Sequence, residues 1–207
     1  MIAVIVILVV LVLVALLLVA LFNRLVRARN RVDNAWGQVE VQLKRRWDLI
    51  PNLVETVKGY AAHERGTFEA VTQARAAAQN ARGPAEAAQA EGILSQALGR
   101  LFAVAEAYPE LRATENFQQL QAALNETENK VAVSRQVYND TVLTYNNAIQ
   151  TFPGAVFAGP FGFTVREFFE VEDAAQRDAP RVDFGTADAG ATGAAAESAP
   201  ASPSEPS

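Results

Sequence analysis

Hydrophobic and polar positions divide the chain into three regimes. From Ile2 to Phe22 there are 21 consecutive residues without a charge, mostly Val, Leu and Ile, and no polar stripe marks any helical face. At about 1.5 Å per residue this run spans roughly 30 Å, one bilayer, so it predicts a transmembrane helix over residues 1–23 rather than a buried helix of a soluble core. A cleaved signal peptide fits less well: only Met1 precedes the run, and Leu21-Phe22-Asn23-Arg24 follows it in place of a small-x-small site. Arg24, Arg27, Arg29 and Arg31 crowd the C-terminal flank, which by the positive-inside rule predicts that the rest of the chain lies in the cytoplasm.

Residues 24–184 form the second regime, where apolar residues recur at three-four spacing. Leu25, Val32, Trp36, Val39, Leu43, Trp47, Ile50, Val54, Val57 and Ala61 make one long helical face, with Asp33, Gln38, Glu40, Lys44, Arg45 and Glu55 on the other side. Pro51 predicts a kink or restart around Leu49 to Asn52. Gly59 and Gly66 bracket a break, Gly83-Pro84 is a stop and restart, and Pro109 closes the stripe that runs from Ile93 to Tyr108. The longest helix is expected from Thr114, a candidate N-cap, to Phe152. Phe117, Leu120, Leu124, Thr127, Val131, Ser134, Tyr138, Thr141, Tyr145, Ala148 and Phe152 alternate along it as a coiled-coil-like seam, on which the hydroxylated positions read as close packing rather than chemistry. Ala35–Leu43 and Val131–Tyr145 are the natural core partners. The pattern therefore predicts an all-α protein, an N-terminal transmembrane helix followed by an antiparallel bundle of three helices, or of four through the break at Gly59 to Gly66.

Beyond Phe152 the helical period stops but phenylalanine does not. Phe157, Phe161, Phe163, Phe168 and Phe169, with Arg166, fall in a Pro- and Gly-broken stretch, and such an apolar loop needs a cover. It either folds over the end of the bundle or serves as an interaction loop, dipping into the bilayer interface or docking on a partner or second copy. With four antiparallel helices it returns to the head groups. Gln176 to Phe184 is a connecting strip, and residues 185–207, rich in Ala, Gly, Ser and Pro, are too poor in apolar area to order and predict a disordered tail.

Composition removes whole classes of chemistry. There is no Cys, which excludes disulfides, thiolate metal sites and Cys nucleophiles. The formal charge is −5, of which the tail supplies −3 through Asp188, Glu197 and Glu205, leaving the remainder at −2 and without the basic field that nucleic-acid binding requires. Lys44-Arg45-Arg46 reads as a solvated helix face. His63, the single histidine, has no second His four residues on, and Glu40, Glu55, Glu64, Glu106, Glu115, Glu126 and Glu128 include no Glu-x-x-His pair of a bundle metal site. No Gly-x-Gly-x-x-Gly, P-loop or Gly-x-Ser-x-Gly sequence is present, so no cofactor, metal or catalytic residue is expected. The sequons at Asn125 and Asn139 fall inside a helix, where glycan attachment is not expected.

Several ordered blocks are recognisable. Arg31-Val32-Asp33-Asn34-Ala35-Trp36, Asp48-Leu49-Ile50-Pro51-Asn52-Leu53-Val54-Glu55, Leu101 to Pro109, Thr127-Glu128-Asn129-Lys130, Tyr138-Asn139-Asp140, Tyr145-Asn146 and Phe152-Pro153 resemble the LemA family over roughly residues 23–184. The resemblance implies a membrane anchor and an antiparallel helical bundle, and it carries no catalytic residues with it. Two functions follow as expectations: a non-enzymatic, membrane-tethered interaction or scaffold module of the cell envelope, whose partners are the lipid bilayer and a membrane protein or a second copy, or an accessory subunit of a membrane enzyme such as a protease.

Overall fold

The structure, a computed structural model, describes residues 1–170, and every described element is helical. The expected strip at 176–184 and the tail at 185–207 lie outside the described residues. Helix α1 runs Ile2–Lys58, α2 Arg65–Asn80, α3 Gly83–Glu106, α4 Pro109–Arg112, α5 Glu115–Gln150 and α6 Gly154–Ala158.

Of the kink or restart expected at Leu49 to Asn52, the restart does not occur. Helix α1 continues through Pro51, although a proline there withdraws the N–H that the Trp47 carbonyl would accept. The Nε of Arg75 in α2 donates to that carbonyl at 2.8 Å, so a neighbouring helix supplies the missing partner. The other punctuation behaves as the residues dictate. Gly59 ends α1, Gly83 starts α3 at φ 80 with Pro84 in its first turn, and the Glu86 carboxylate accepts from the exposed Arg82 N–H at 2.9 Å. Thr114 stands at the N-cap of α5, but its hydroxyl turns back to donate to the Leu111 carbonyl at 2.7 Å instead of capping.

Helices α1, α2, α3 and α5 form the antiparallel bundle, and its register is readable from side-chain pairs. Arg46 meets Glu128 at 3.6 Å, and Trp36 meets Tyr138 with ring centroids 5.3 Å apart, so each step back along α1 is a step forward along α5. Helices α2 and α3 pack mainly on the far half of this pair. There Ile50, Leu53, Val57, Phe68, Val71, Leu94, Leu98, Leu101, Leu111, Phe117 and Leu124 enclose a four-helix core. In the near half a second core of Leu25, Val32, Val39, Leu43, Val131, Tyr138, Val142, Tyr145 and Ile149 takes from α3 only Ala87 and Ala88 of its first turns, and is closed by Ala158, Phe163 and Phe169. Two helices cannot cover both of their own apolar stripes, so the chain beyond α5 takes the place of the absent pair.

The seam predicted on α5 is correct at Phe117, Leu124, Thr127, Val131, Tyr138 and Tyr145, which are buried. It drifts at its end: Val142, Asn146 and Ile149 are buried, while Phe152 lies past the helix, exposed. A straight helix has 3.6 residues per turn against the 3.5 of the expected repeat, and over the five heptads from Phe117 to Phe152 the buried stripe moves by about a residue.

Candidate functional site

The near end of the bundle is built by a short repeat, Tyr138-Asn139 and Tyr145-Asn146, two helical turns apart on α5. The Asn146 side chain accepts from the Arg166 N–H and donates to the Arg166 carbonyl, both at 2.9 Å. Asn139 does the same for Phe169, accepting at 2.9 Å and donating at 3.1 Å. The tyrosine hydroxyls donate to the Glu167 and Thr164 carbonyls at 2.8 and 3.0 Å. Seven residues of α-helix advance about 10.5 Å and three residues of extended chain about 10 Å, so the two repeats match one stretch of strand-like backbone. Each asparagine offers a donor and an acceptor in the pattern of a neighbouring strand, and the segment 164–169 becomes a strap lying antiparallel to α5 without any sheet.

Burial pushes the Tyr138 phenol up to about 12 and raises that of Tyr145, with the Arg166 guanidinium opposing both. Arg166 also reaches α1, its Nη2 lying 2.9 Å from Asp33, an exposed pair that fixes register more than it stabilises. Trp36 packs against both Tyr138 and Phe169 and donates its indole N–H to Glu40 at 2.8 Å.

Between α5 and the strap, the α6 turn folds back on the end of α5. A Cβ at Gly154 would run into the Ala148 carbonyl oxygen, so only glycine permits this approach. Gly162 takes φ 72, the left-handed conformation that glycine permits, between Phe161 and Phe163. Phe161 and Phe163 then meet Phe22 edge-on, with centroids 5.3 and 5.8 Å away, and the Arg29 guanidinium lies 5.6 Å from the Phe163 ring centre.

The expected interaction loop therefore divides. Phe163 and Phe169 are buried and Phe157, Arg166 and Phe168 half-buried, as parts of the cap, whereas Phe161 stays exposed. The four arginines divide likewise: Arg24, Arg27 and Arg31 are exposed and Arg29 is half-buried against Phe163. His63 is exposed, and among the described residues no group of His, Asp and Glu could hold a metal ion.

One reading of the basic cluster is corrected. Lys44 and Arg45 are solvated, but Arg46 is buried, its Nη1 2.9 Å from Glu91 and its Nη2 3.0 Å from the Ser95 hydroxyl. The Trp47 indole donates to the other Glu91 oxygen at 2.6 Å. Burial raises the Glu91 carboxyl above its ordinary range, and the Trp47 and Arg46 donors restrain the rise. This cluster locks α1 to α3 beside a cleft of about 230 Å³ lined by Leu98, Phe102, Asn125 and Glu128. Glu91 lies on an alanine-rich helix, and nothing local in the sequence distinguishes it from a solvated acid.

The N-terminal part of α1, before Leu18, stands apart from all these contacts. Its residues from Ile2 to Leu17 are exposed, and the helix is long and apolar enough, by length and composition, to cross a membrane.

Comparison with known proteins matches residues 35–184 to a family model described as the LemA family. Magnetosome protein MamQ 2 of Paramagnetospirillum magneticum is 29% identical over 161 residues, covering 65% of this chain and 59% of that protein. Magnetosome protein MamQ of Magnetospirillum gryphiswaldense is 28% identical over 161 residues with the same coverage. Protein LemA of Metamycoplasma hominis is 26% identical over 134 residues, covering 63% of this chain and 60% of that protein. The chain thus spans about three-fifths of the length of the curated relatives it matches.

Proposed function

This chain belongs to the LemA family, and we propose that it works as a membrane-anchored, non-enzymatic helical bundle that presents an interaction surface at the cell envelope. One observation carries the reading. The apolar run Ile2–Phe22 is continuous with the first bundle helix, with no loop between them, and its side chains from Ile2 to Leu17 find no cover in the protein. Leaving the sixteen large apolar side chains exposed between Ile2 and Phe22 in water costs far more than a domain of this size can offset, and a bilayer is the environment of matching thickness. Because α1 is a single helix, the membrane would fix the height of the bundle against the bilayer. Arg24, Arg27 and Arg31 at its flank favour the cytoplasmic side.

The absence of cysteine makes the test direct, because every introduced cysteine is unique. A cysteine at the exposed His63 position, probed in intact cells with a membrane-impermeant maleimide, is expected to react only after lysis. The full chain is expected to resist alkaline extraction from membranes, and a chain lacking residues 2–22 to be released. Alkaline release of the full chain would end the anchor reading; labelling in intact cells would reverse the topology alone.

A further inference from the structure

Three hydrophobic side chains at the near end stay exposed, Phe161 although one edge of it meets Phe22. Phe152 is 84% exposed, Val156 58% and Phe161 50%, and all lie on the α6 turn. Residues 151–165 carry no charge, as the second part of an uncharged stretch that runs from Thr141 to Val165.

Their height along the bundle follows from the register. Trp36 faces Tyr138, and Arg29 lies close enough to Tyr145 to act on its phenol, so antiparallel neighbours keep step along the near half. Phe22 stands fourteen residues before Trp36 and Phe152 fourteen after Tyr138, which places the end of α5 level with the last residue of the apolar run. The contact between Phe161 and Phe22 fixes the other end of the turn at the same height. The exposed apolar surface of the turn is therefore continuous with that of the first half of α1, and the exposed Arg24 and Arg27 rim it at head-group level.

We propose that the α6 turn is a second membrane contact, in which Phe152, Val156 and Phe161 enter the bilayer interface beside the anchor. The proposal rests on the anchor reading given above. Its consequence is orientational: one helix lets a bundle spin and tilt about its axis, and a second apolar contact off that axis holds one face to the lipid. Aromatic side chains suit that depth, and the uncharged stretch avoids the cost of bringing a charge to it. A lipid surface is the occupant the observations favour, because the patch merges with the apolar run instead of forming an isolated patch on the side of the bundle.

The test uses the full chain in phospholipid vesicles with single cysteines at Phe152, Val156, Val9 and Ala113, each carrying bimane. Phe152→Cys and Val156→Cys replace exposed side chains, so the fold is preserved. Lipids bearing a nitroxide near the head group, or deep in the acyl chain, then report depth. The expected result is loss of fluorescence at positions 152 and 156 with the shallow quencher, at position 9 with the deep quencher, and at 113 with neither. Quenching at 9 without quenching at 152 and 156 would overturn the second contact and leave the anchor intact. No quenching at 9 would overturn the anchor reading itself.

Discussion

Replacing Asn146 with Ala should release the strap while leaving the helix that carries it unchanged. The side chain makes both hydrogen bonds to Arg166 and is buried, so its loss orphans one N–H and one carbonyl in a half-buried segment. Losing two bonds at roughly 1 kcal/mol each, with part of the desolvation cost left behind, gives about 2–4 kcal/mol. Every 1.4 kcal/mol is about tenfold, so protection of the Arg166 amide against hydrogen exchange should fall by a factor of about 30 to 1,000, or to the limit set by full opening of the strap. The assay is residue-level hydrogen exchange on the full chain in a lipid nanodisc, with the Val131 amide, bonded within α5, as an internal reference expected to hold. Asn146→Asp separates hydrogen bonding from shape: it keeps an acceptor for the Arg166 N–H but turns a carboxylate toward the Arg166 carbonyl, and a comparable loss is expected. Unchanged protection at Arg166 in both variants would refute the reasoning, because packing of Phe163 and Phe169 would then suffice to hold the strap.

Other consequences are equally open to measurement. Arg75→Met should cost about 1–3 kcal/mol in denaturant unfolding by orphaning the Trp47 carbonyl, and much less alongside Pro51→Ala, which restores the helical N–H. Glu91→Ala strands the buried Arg46 and should cost about 3–5 kcal/mol by the same assay. Gly154→Ala forces a methyl onto the Ala148 carbonyl and should destabilise by about 1–3 kcal/mol, whereas Gly159→Ala meets nothing and should be neutral within about 0.5 kcal/mol. Tyr138 keeps its proton in the folded state to about pH 12 but loses it near pH 10 when unfolded, so its contribution is intact below pH 10 and is lost as pH rises from 10 to 12. Tyr138→Phe should flatten that part of the stability profile.

Most of the helical frame was legible in the sequence because it depends on local chemistry. The breaks at Gly59 and Gly83-Pro84 and the three-four spacing of Val32, Val39 and Leu43 need no distant partner to be read. What escaped depends on residues remote in sequence. Pro51 looks like a helix breaker until Arg75 arrives from α2, and Arg46 looks solvated until Glu91 arrives from α3. Asn139 and Asn146 left no hydrophobic trace, since they bind backbone, which has no sequence of its own. Their shared Tyr-Asn dipeptide at a seven-residue interval was the available sign. In the phenylalanine stretch only the register against α1 sorts Phe163 and Phe169 into the core from Phe152 and Phe161 outside it.

The central claim is that α1 changes solvent from lipid to protein without changing direction. A nitroxide scan of single cysteines from Val4 to Trp36, in vesicles, measures oxygen and aqueous-reagent access at each position. The account predicts high oxygen access without periodicity through Leu17, first protection at Leu18 and Leu21, a crossover to aqueous access on the other face at Asn23 and Arg24, and then a 3.6-residue rhythm with minima at Leu25, Val32 and Ala35. A 3.6-residue rhythm of protection already present before Leu17, or aqueous access throughout that run, would contradict it.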